Sequence, residues 1–325
     1  MTGPTFLVAG GARCGTTGLV EGLREHPDVA VTEPKEPHYF ALHRLGANFS
    51  APGDEHTINK VAVTDLDRYL ALYPTAKPDG TPYAALGEGS VSTLYYPEES
   101  IPEILRYNPA MRIVILLRDP VERAHSAYGY MRARGLEPVE DFLTAVGLED
   151  ERKAAGWHHI WHYTSMSRYA DSLTAFAEAF PAEQLGIWFY DDLNRDYATT
   201  VAEVLTHIGV PATAADVPAV PRVNVSGQPR SRVFQEVIKR ATAQPTVRTA
   251  VKRATSYRFR EAVRRRALRS DGLPAGARDQ LAPHFAEDLS RLQALLPSLL
   301  PSGRDIPDWV RAGAERSAPH GGGAR

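Results

Sequence analysis

The chain has 325 residues, of which 43% are hydrophobic and 23% are charged, and its formal net charge is −2. A chain of this length can bury a substantial core in one large domain, and the composition is typical of a globular protein. The small net charge gives no global reason to expect nucleic acid or an anionic membrane as a partner. No apolar run is long enough to span a bilayer, so we expect no transmembrane segment.

Cysteine usage and the N-terminus both predict a cytoplasmic protein. Cys14 is the only cysteine, so no internal disulfide can form, which fits a reducing compartment. The N-terminus lacks a basic segment followed by an apolar stretch and enters the first predicted strand directly, so we expect no signal peptide.

The first predicted elements surround a glycine-rich turn. Residues 5–19 read TFLVAGGARCGTTGL, which predicts a buried strand (Thr5–Ala9), a turn and a helix that starts near Gly15. The spacing matches a phosphate-binding loop, except that Thr16 stands where the usual lysine would be. Backbone N–H groups at such a helix start carry the positive end of the dipole and bind phosphate. Arg13 supplies a cation from within the turn.

Other phosphate loops fit this turn less well. An ATP-type loop uses its lysine on the terminal phosphates and a hydroxyl on Mg²⁺, and here the lysine is missing. A phosphatase loop needs an arginine after its cysteine, whereas Arg13 precedes Cys14 and Val20 stands where that arginine would be. On this motif alone, an ordinary glycine turn explains the pattern equally well. Cys14 either has a lowered pKa at the helix start, which would make it reactive, or fills a tight loop.

The following segment predicts an α/β arrangement. It contains a short strand at Val29–Thr32, a polar loop at 43–60, a turn-rich segment at Pro74–Pro82, a strand at Ala84–Glu88 and a helix from about Glu98 to Arg106.

A second motif follows at residues 112–130, RIVILLRDPVERAHSAYGY. The apolar run Ile113–Leu117 predicts a central parallel strand buried on both faces. Asp119 is expected to cap the next helix, with a proline at the first helical position. Arg118 then lies at the carboxyl end of a strand, where ligands bind in open α/β sheets, and Ser126 follows about two turns along the helix. Together a guanidinium and a hydroxyl so placed can hold one phosphate.

The rest of the chain is predicted to be mainly helical. We expect helices at about 120–134 and 139–154, an amphipathic helix at Ser167–Phe180, a last strand at Leu185–Tyr190, a helix at Ala198–Ile208 and a disordered tail at 312–325.

The two motifs, in this order, resemble the sulfotransferases that use 3′-phosphoadenosine 5′-phosphosulfate (PAPS). The resemblance runs from residue 5 to about 310 and includes a closing helical pattern at Leu281–Trp309. It implies a P-loop-type three-layer α/β fold with a central parallel sheet and a helical C-terminal portion, in a single domain at 1–311. In that family the first motif holds the 5′-phosphosulfate and the second holds the 3′-phosphate. Those roles fall here on Arg13, Cys14, Gly15, Thr16 and Thr17, and on Arg118 and Ser126. We also expect Arg13 to act in catalysis, because with the turn N–H groups it can stabilise the negative charge that grows on the bridging oxygen.

Residues 26–40, HPDVAVTEPKEPHYF, resemble the glycan-modifying branch of that family, in which a glutamate before x-His-aromatic-Phe is the catalytic base. The matching residue is Glu36. Four roles are open to His38. It orients Glu36, it contacts the acceptor, it is itself the base, or it is a packed histidine. The glycan branch often carries a lysine after a later Gly-Glu strand, whereas this chain has Gly89 and Ser90 there. That departure leaves open how charge on the sulfuryl oxygens is neutralised.

Two C-terminal segments carry further predictions. Residues 224–232, NVSGQPRSR, resemble the family's second cofactor-contacting segment, which would place Ser226, Gly227 and Arg230 near the nucleotide. A basic helical segment at about 228–272 has eleven Lys or Arg residues between 239 and 269, with one acid, Glu261. It is either a solvated helical face or a docking surface for an anionic acceptor, a lipid surface or a partner, and docking of this kind weakens with salt.

The segment WHHIWH at 157–162 places His158 and His162 at a helical i,i+4 spacing that suits a metal. No third ligand accompanies them, so we expect packing or an acceptor-site wall, and no metal site.

The sequence therefore predicts a sulfotransferase that moves the sulfuryl group of PAPS to a hydroxyl of a carbohydrate, a glycolipid or a small natural product. A P-loop nucleotide kinase or ATP-binding protein and a non-catalytic nucleotide-binding protein are the two alternatives.

Overall fold

The computed structural model describes residues 3–217, 228–229, 268–269 and 272–316. Its centre is a five-stranded sheet in which every strand pair is parallel. The strands are β1 (Phe6–Val8), β2 (Val29–Val31), β3 (Ala85–Glu88), β4 (Arg112–Leu117) and β5 (Leu185–Phe189). Their order across the sheet is β2-β3-β1-β4-β5.

Helices connect the strands and extend beyond them. The first set is α1 (Thr16–Arg24), α2 (Tyr39–Leu42), α3 (Ile58–Val61), α4 (Leu66–Leu70), α5 (Ser92–Tyr95), α6 (Pro97–Tyr107), α7 (Pro120–Ala133) and α8 (Phe142–Gly147). The second set is α9 (Glu149–Ala154), α10 (Ala170–Ala179), α11 (Tyr190–Arg195), α12 (Tyr197–His207), α13 (Ala277–Leu281), α14 (Ala286–Leu299) and α15 (Asp308–Glu315). Short 3₁₀ turns lie at Asp54–His56, His159–Trp161, Ser165–Ser167, Ala182–Gln184, Ala214–Asp216 and Ala282–Phe285.

Side-chain alternation along the strands separates two helical layers. Phe6 and Val8 pack with α1 and α12 on one face of the sheet, whereas Leu7 packs with α6, α10 and α14 on the other. The same alternation continues along β4, because successive side chains of a strand point to opposite faces. Both faces are covered, as is usual for parallel sheets. The predicted three-layer α/β fold is confirmed.

The C-terminal helices complete one of these layers. Helix α14 packs against α10 and α15, and its Leu292 is fully buried in the same core as the strands. Helix α15 ends at Glu315. The prediction of a disordered tail at 312–325 is therefore wrong for residues 312–315, which form the last turn of that helix. Residues 317–325 lie outside the described part of the chain.

Two connecting segments differ from expectation. The predicted polar loop at 43–60 contains a 3₁₀ turn and α3, because the buried Asp54 carboxylate accepts a hydrogen bond from the Ala51 N–H at 2.9 Å and closes a local turn. The single helix predicted at 139–154 is two helices, α8 and α9, which meet at Leu148. Glu149 is the first residue of α9, and its carboxylate accepts hydrogen bonds from the backbone N–H groups of Thr164 and Ser165.

Several predictions fall outside the described residues. They concern Ser226, Gly227 and Arg230 and almost all of the basic segment. Of this region the structure describes the backbone of β6 (Gln228–Pro229) and β7 (Leu268–Arg269), which pair in antiparallel fashion. Strand β6 lies beside α7, the helix that carries Ser126. Among the described helices, none has both the length and the apolar character needed to cross a membrane.

Candidate active site

The strand order brings the two sequence motifs to the same edge of the sheet. Strands β1 and β4 are parallel neighbours, with Val8 opposite Val114. The carboxyl ends of parallel neighbours meet at one edge, so the turn after β1 and the turn after β4 lie side by side. The Gly11 N–H donates to the Leu116 carbonyl oxygen at 3.1 Å, which fixes this approach.

The glycine-rich turn leaves the start of α1 open. A Cβ atom at Gly10 would lie 2.2 Å from the Leu116 nitrogen, so no side chain fits where the backbones meet. Gly15 has φ +95°, a conformation that favours glycine. The N-cap residue of α1 is this glycine, which has no side chain to cap the helix. Because the first N–H groups of a helix have no partner within it, this cradle suits a phosphate or sulfate group.

Arg13 reaches the second motif from inside the turn. Its Nε donates to the Ser126 Oγ at 3.3 Å, and its guanidinium lies 4.7 Å from the centre of the Tyr130 ring. Its own backbone has φ +70°. Arg13, which the sequence analysis places at the 5′-phosphosulfate, therefore contacts Ser126, which the same analysis places at the 3′-phosphate.

Arg118 closes the gap between the motifs. It donates to the Arg13 carbonyl oxygen at 3.2 Å and to Glu122 at 3.2 Å, and its guanidinium lies 4.2 Å from the centre of the Tyr190 ring. Its Nε is buried and has no hydrogen-bond partner among the described residues. A buried unsatisfied N–H is costly, so this group is suited to an anionic ligand.

The start of α7 is built as predicted. The Asp119 carboxylate accepts from the Glu122 N–H at 2.9 Å, and Pro120 is the first helical residue. This cap fixes the direction in which α7 leaves the sheet. It thereby sets the position of Ser126 relative to Arg118.

Cys14 serves as packing. Its side chain is fully buried, and burial raises the pKa of the thiol to about 11 despite three nearby arginines. The Cys14 N–H donates to the Gly11 carbonyl oxygen at 3.2 Å and shapes the turn. The reading as a reactive cysteine with a lowered pKa is therefore wrong, because a protonated thiol in a dry core is unreactive.

Glu36 lies in the segment after β2, and this segment runs beside the carboxyl end of β3. The Thr32 N–H donates to the Gly87 carbonyl oxygen, and the Gly89 N–H donates to the Lys35 carbonyl oxygen at 3.0 Å. The Glu36 side chain is 29% exposed and forms an ion pair with the Lys35 Nζ at 2.7 Å. Burial raises the pKa of Glu36, but Lys35 and His38 outweigh it, and the pKa is lowered overall.

His38 packs between Glu36 and Ser92. Its Nδ1 lies 2.8 Å from the Ser92 Oγ, and its Nε2 lies 3.9 Å from a Glu36 carboxylate oxygen. The side chain is 8% exposed, and burial lowers the pKa to about 4 although Glu36 opposes that shift. At neutral pH the imidazole is uncharged and Glu36 is the more accessible of the two groups.

A second carboxyl group lies near Glu36. Glu88 ends β3 and is completely buried, and neither of its carboxylate oxygens accepts a hydrogen bond of normal geometry from the described part of the chain. Burial and the charge of Glu36 raise its pKa to about 8, which the nearby Ser90 opposes only in part. Glu88 is therefore a protonated acid in the core at neutral pH.

The histidines of the segment at 157–162 have separate partners. A 3₁₀ turn lies at His159–Trp161, where the i,i+4 spacing would need an α-helix to bring His158 and His162 onto one face. His158 pairs with Asp54 at 2.7 Å, whereas His162 bonds to the Tyr95 hydroxyl at 2.8 Å and to the Trp157 carbonyl oxygen. In the part of the chain that the structure describes, no three His, Cys, Asp or Glu side chains form a group that could hold a metal ion.

Sequence reasoning missed four residues of this site, which are Lys35, Glu88, Tyr130 and Tyr190. Lys35 is the most informative, since its Nζ lies 3.5 Å from the Thr16 Oγ1 and 3.4 Å from the Thr17 Oγ1. Its position directly before Glu36 was the available signal. The tyrosines carried no comparable signal, because an arginine stacks on whichever ring the fold brings beside it.

Comparisons with known proteins agree with this geometry. A crystal structure of a sulfotransferase from Alicyclobacillus acidocaldarius superposes with a TM-score of 0.70 and 26% identity, over 94% of this chain and 98% of that chain. Carbohydrate sulfotransferase 15 from Mus musculus is 28% identical over 163 residues, which are 43% of this chain and 29% of that protein. Heparan sulfate glucosamine 3-O-sulfotransferase 3B1 from Homo sapiens is 24% identical over 214 residues, which are 66% of this chain and 48% of that protein.

This chain thus spans less than a third of the first of these curated relatives and about half of the second. The sequence profile of the Sulfotransferase family matches residues 4–214. That match covers well over half of the chain and includes both motifs and the strands that carry them, and so the protein belongs to the sulfotransferase family.

Proposed function

We propose that this protein transfers the sulfuryl group of PAPS to a hydroxyl acceptor. The observation that carries the proposal is the junction of the two motifs, where Arg118 and Ser126 both contact Arg13 beside an uncapped helix start. Two anion sites at one sheet edge fit a nucleotide with a phosphate at each end. The unsatisfied Nε of Arg118 supports the assignment of an anionic ligand there.

The chain's own groups supply binding and proton transfer. When bound, PAPS supplies the sulfuryl group and a phosphate leaving group. Glu36 accepts the acceptor's hydroxyl proton on a carboxylate oxygen while the hydroxyl oxygen forms its bond to sulfur. Arg13 and the turn N–H groups, with Thr16 and Thr17, bind the leaving oxygens, whose negative charge grows as the sulfur–oxygen bond breaks. None of these steps uses a metal ion.

Glu36 is favoured over His38 as the base on accessibility. The Glu36 side chain is 29% exposed, whereas His38 is 8% exposed and holds Ser92. A general base must come within hydrogen-bond distance of the proton that it removes. His38 is then a positioning residue that buttresses the Glu36 carboxylate.

The acceptor that fits best is a sugar hydroxyl. The relatives named for carbohydrate and heparan sulfate glucosamine sulfation support this choice, as does the segment around Glu36. A hydroxyl of a small natural product is the second candidate. The single cysteine supports action in a reducing, cytoplasmic compartment.

Ligand-induced stabilisation tests the donor. Adenosine 3′,5′-bisphosphate should raise the melting temperature, whereas ADP and Mg-ATP should not. A ligand at 100 times its Kd adds about 2.7 kcal/mol of stability, so the difference is readily measured. Stabilisation by Mg-ATP alone would identify a kinase-type site instead.

Product analysis tests the reaction. The protein is incubated with PAPS and a panel of glycans, glycolipids and phenols, and mass spectrometry detects the mass of one added SO₃ group. Binding of the bisphosphate without transfer to any member of the panel would favour a non-catalytic nucleotide-binding protein.

A further inference from the structure

We propose that Arg123 is a positioning residue for the donor, which acts on the glycine-rich turn from within the core. The inference rests on the proposed function and deepens it. Direct contact with the 5′ end of the donor stays with Arg13 and the turn N–H groups. Arg123 holds the turn in place behind them and supplies a positive charge that a bound anion balances.

The Arg123 guanidinium is buried without an ionic partner. The residue lies in the first half of α7 and is completely buried. Its Nε donates to the Ser167 Oγ at 2.5 Å, its Nη2 to the Tyr163 carbonyl oxygen at 2.6 Å and its Nη1 to the Ala12 carbonyl oxygen at 3.4 Å. These three acceptors are uncharged. In the part of the chain that the structure describes, no carboxylate forms an ion pair with this guanidinium.

The nearby acid Glu149 is already paired. Burial lowers the pKa of Arg123, and Glu149 is among the groups that oppose this shift in part. The Glu149 carboxylate, however, forms an ion pair with the Lys153 Nζ at 2.8 Å. A buried charge is costly unless an opposite charge balances it. The core beneath the turn therefore holds a positive charge that an anionic ligand can balance.

The bond from Arg123 to Ala12 orients one peptide group of the turn. Ala12 immediately precedes Arg13, and the peptide bond between them is trans. The carbonyl and the N–H of a trans peptide group point in opposite directions. Because the Ala12 carbonyl oxygen is directed into the core towards Arg123, the Arg13 N–H is directed away from the core. Arg123 thus fixes the orientation of a donor group in the phosphate-binding turn.

The charge of Arg123 also reaches the turn. Burial raises the pKa of the Cys14 thiol, and Arg123 opposes that shift more strongly than Arg118 does. Water and salt screen a buried charge much less than an exposed one. An anion bound by the turn N–H groups therefore lies in the field of Arg123, which raises donor affinity and stabilises the charge that grows on the leaving oxygens.

Calorimetric titration with ligands of different charge tests this role. The ligands are adenosine, adenosine 5′-phosphate and adenosine 3′,5′-bisphosphate. Arg123→Gln should weaken the two phosphorylated ligands about ten- to hundredfold, the range expected when one buried charge near an anion is removed, and leave adenosine unchanged. Arg123→Lys keeps the charge and should restore most of the lost affinity.

Two further variants complete the comparison. Arg123→Met removes both the charge and the hydrogen bonds, whereas Arg123→Gln keeps an amide donor and is the milder neutral change. Arg132→Met is the matched control, because this arginine of the same helix also donates to a backbone carbonyl, that of Glu137 at 2.9 Å, but lies far from the turn. A thermal melt of each protein checks that it is folded.

Steady-state kinetics provides a second readout. With PAPS and an acceptor, Arg123→Gln should raise the KM for PAPS and lower kcat, because the turn binds the donor less tightly and stabilises the leaving oxygens less. The KM for the acceptor should change little. A general loosening of the fold would alter the KM of both substrates.

The outcomes separate the inference from the proposed function. Equal losses for adenosine and for the phosphorylated ligands would mean that Arg123 only holds the fold together, and the inference would be wrong. It would also be wrong if Arg123→Lys bound as weakly as Arg123→Gln, or if both neutral variants bound all three ligands as the unaltered protein does. If the unaltered protein binds no adenosine 3′,5′-bisphosphate, the proposed function itself fails.

Discussion

Two non-glycine residues of the described chain have positive φ values, and both lie in the candidate active site. They are Arg13 at +70° and His38 at +59°. Such conformations cost free energy in residues with a side chain and persist only where the surroundings enforce them. Here a hydrogen bond from Arg118 to the Arg13 carbonyl oxygen and one from the His38 N–H to the Ser90 Oγ hold them. Both backbones aim a side chain at the site.

Replacing Glu36 by glutamine should abolish most turnover and leave donor binding intact. A general base contributes a factor of about 10²–10⁴ to the rate, and the amide cannot accept the proton. The measurement compares kcat with the Kd for adenosine 3′,5′-bisphosphate. His38→Asn should reduce kcat less, since the base remains. A larger loss in His38→Asn than in Glu36→Gln would make the histidine the base.

The buried Glu88 should make stability depend on pH. Its pKa is raised from 4.5 to about 8, so the folded protein holds a proton that the unfolded chain has released. The associated stability is fully present below pH 4.5 and is lost as the pH rises towards 8. In Glu88→Gln this loss is absent. The free energy of unfolding of the variant, relative to that of the original protein, should therefore rise by up to about 1.4 kcal/mol per pH unit across that window.

Urea denaturation at several pH values between 5 and 8 measures this difference in unfolding free energy. Glu183→Gln, at an exposed position, is the control and should give a curve parallel to the original. A parallel curve for Glu88→Gln as well would mean that Glu88 is ionised in the fold.

At the scale of elements, a carboxylate in α14 fixes the start of α10. The Asp288 oxygens accept from the Tyr169 N–H at 2.9 Å and from the Ala170 N–H at 3.0 Å. These N–H groups begin a helix and would otherwise lack partners. Tyr169 in turn donates its hydroxyl to the Arg118 carbonyl oxygen at 2.9 Å. A C-terminal helix therefore supports the strand end that carries Arg118.

Asp288→Ala should lower the free energy of unfolding by about 1–3 kcal/mol, since it leaves two buried donors unsatisfied. Asp288→Asn keeps one acceptor oxygen and should lose less. Asp305→Ala, at an exposed position in the same C-terminal segment, is the control. Equal stability of Asp288→Ala and Asp305→Ala in urea would show that the α14 to α10 contact contributes nothing.

At the scale of the whole molecule, the fold extends beyond the family match. The profile ends at residue 214, yet Phe285, Leu292 and Val310 are all fully buried in the core that the sheet shares with α6 and α10. The helices after residue 272 thus close one face of the sheet. Without them the apolar side chains on that face would meet water, which is unfavourable in proportion to their area.

Leu292→Ala should therefore destabilise the entire domain by about 2–5 kcal/mol, the usual cost of emptying a core leucine site. Because the core is shared, a single cooperative transition is expected, with both fluorescence and circular dichroism reporting the same midpoint. Leu45→Ala, whose side chain is 50% exposed, should change stability by less than about 0.5 kcal/mol. Separate transitions would mean that the C-terminal helices fold as an independent unit.

The sequence by itself determined the strands, the turn after β1, the cap of α7 and the family. These depend on signals within a few residues, such as apolar runs, glycine spacing and Asp-Pro at a helix start. Glu36 and Arg118 were predicted in the same way, from motifs whose members are close along the chain. The division of 139–154 into two helices was missed, because Glu149 is held by residues about fifteen positions later.

Only the tertiary structure decided which cation contacts which part of the site. Lys35 meets Thr16 because β3 lies between β2 and β1, and Arg13 meets Ser126 because β4 is the other neighbour of β1. The burial of Glu88 likewise follows from its place at the end of a central strand. Such contacts join residues far apart in the chain. Their geometry is set by strand order and by packing on both faces of the sheet, which no local pattern encodes.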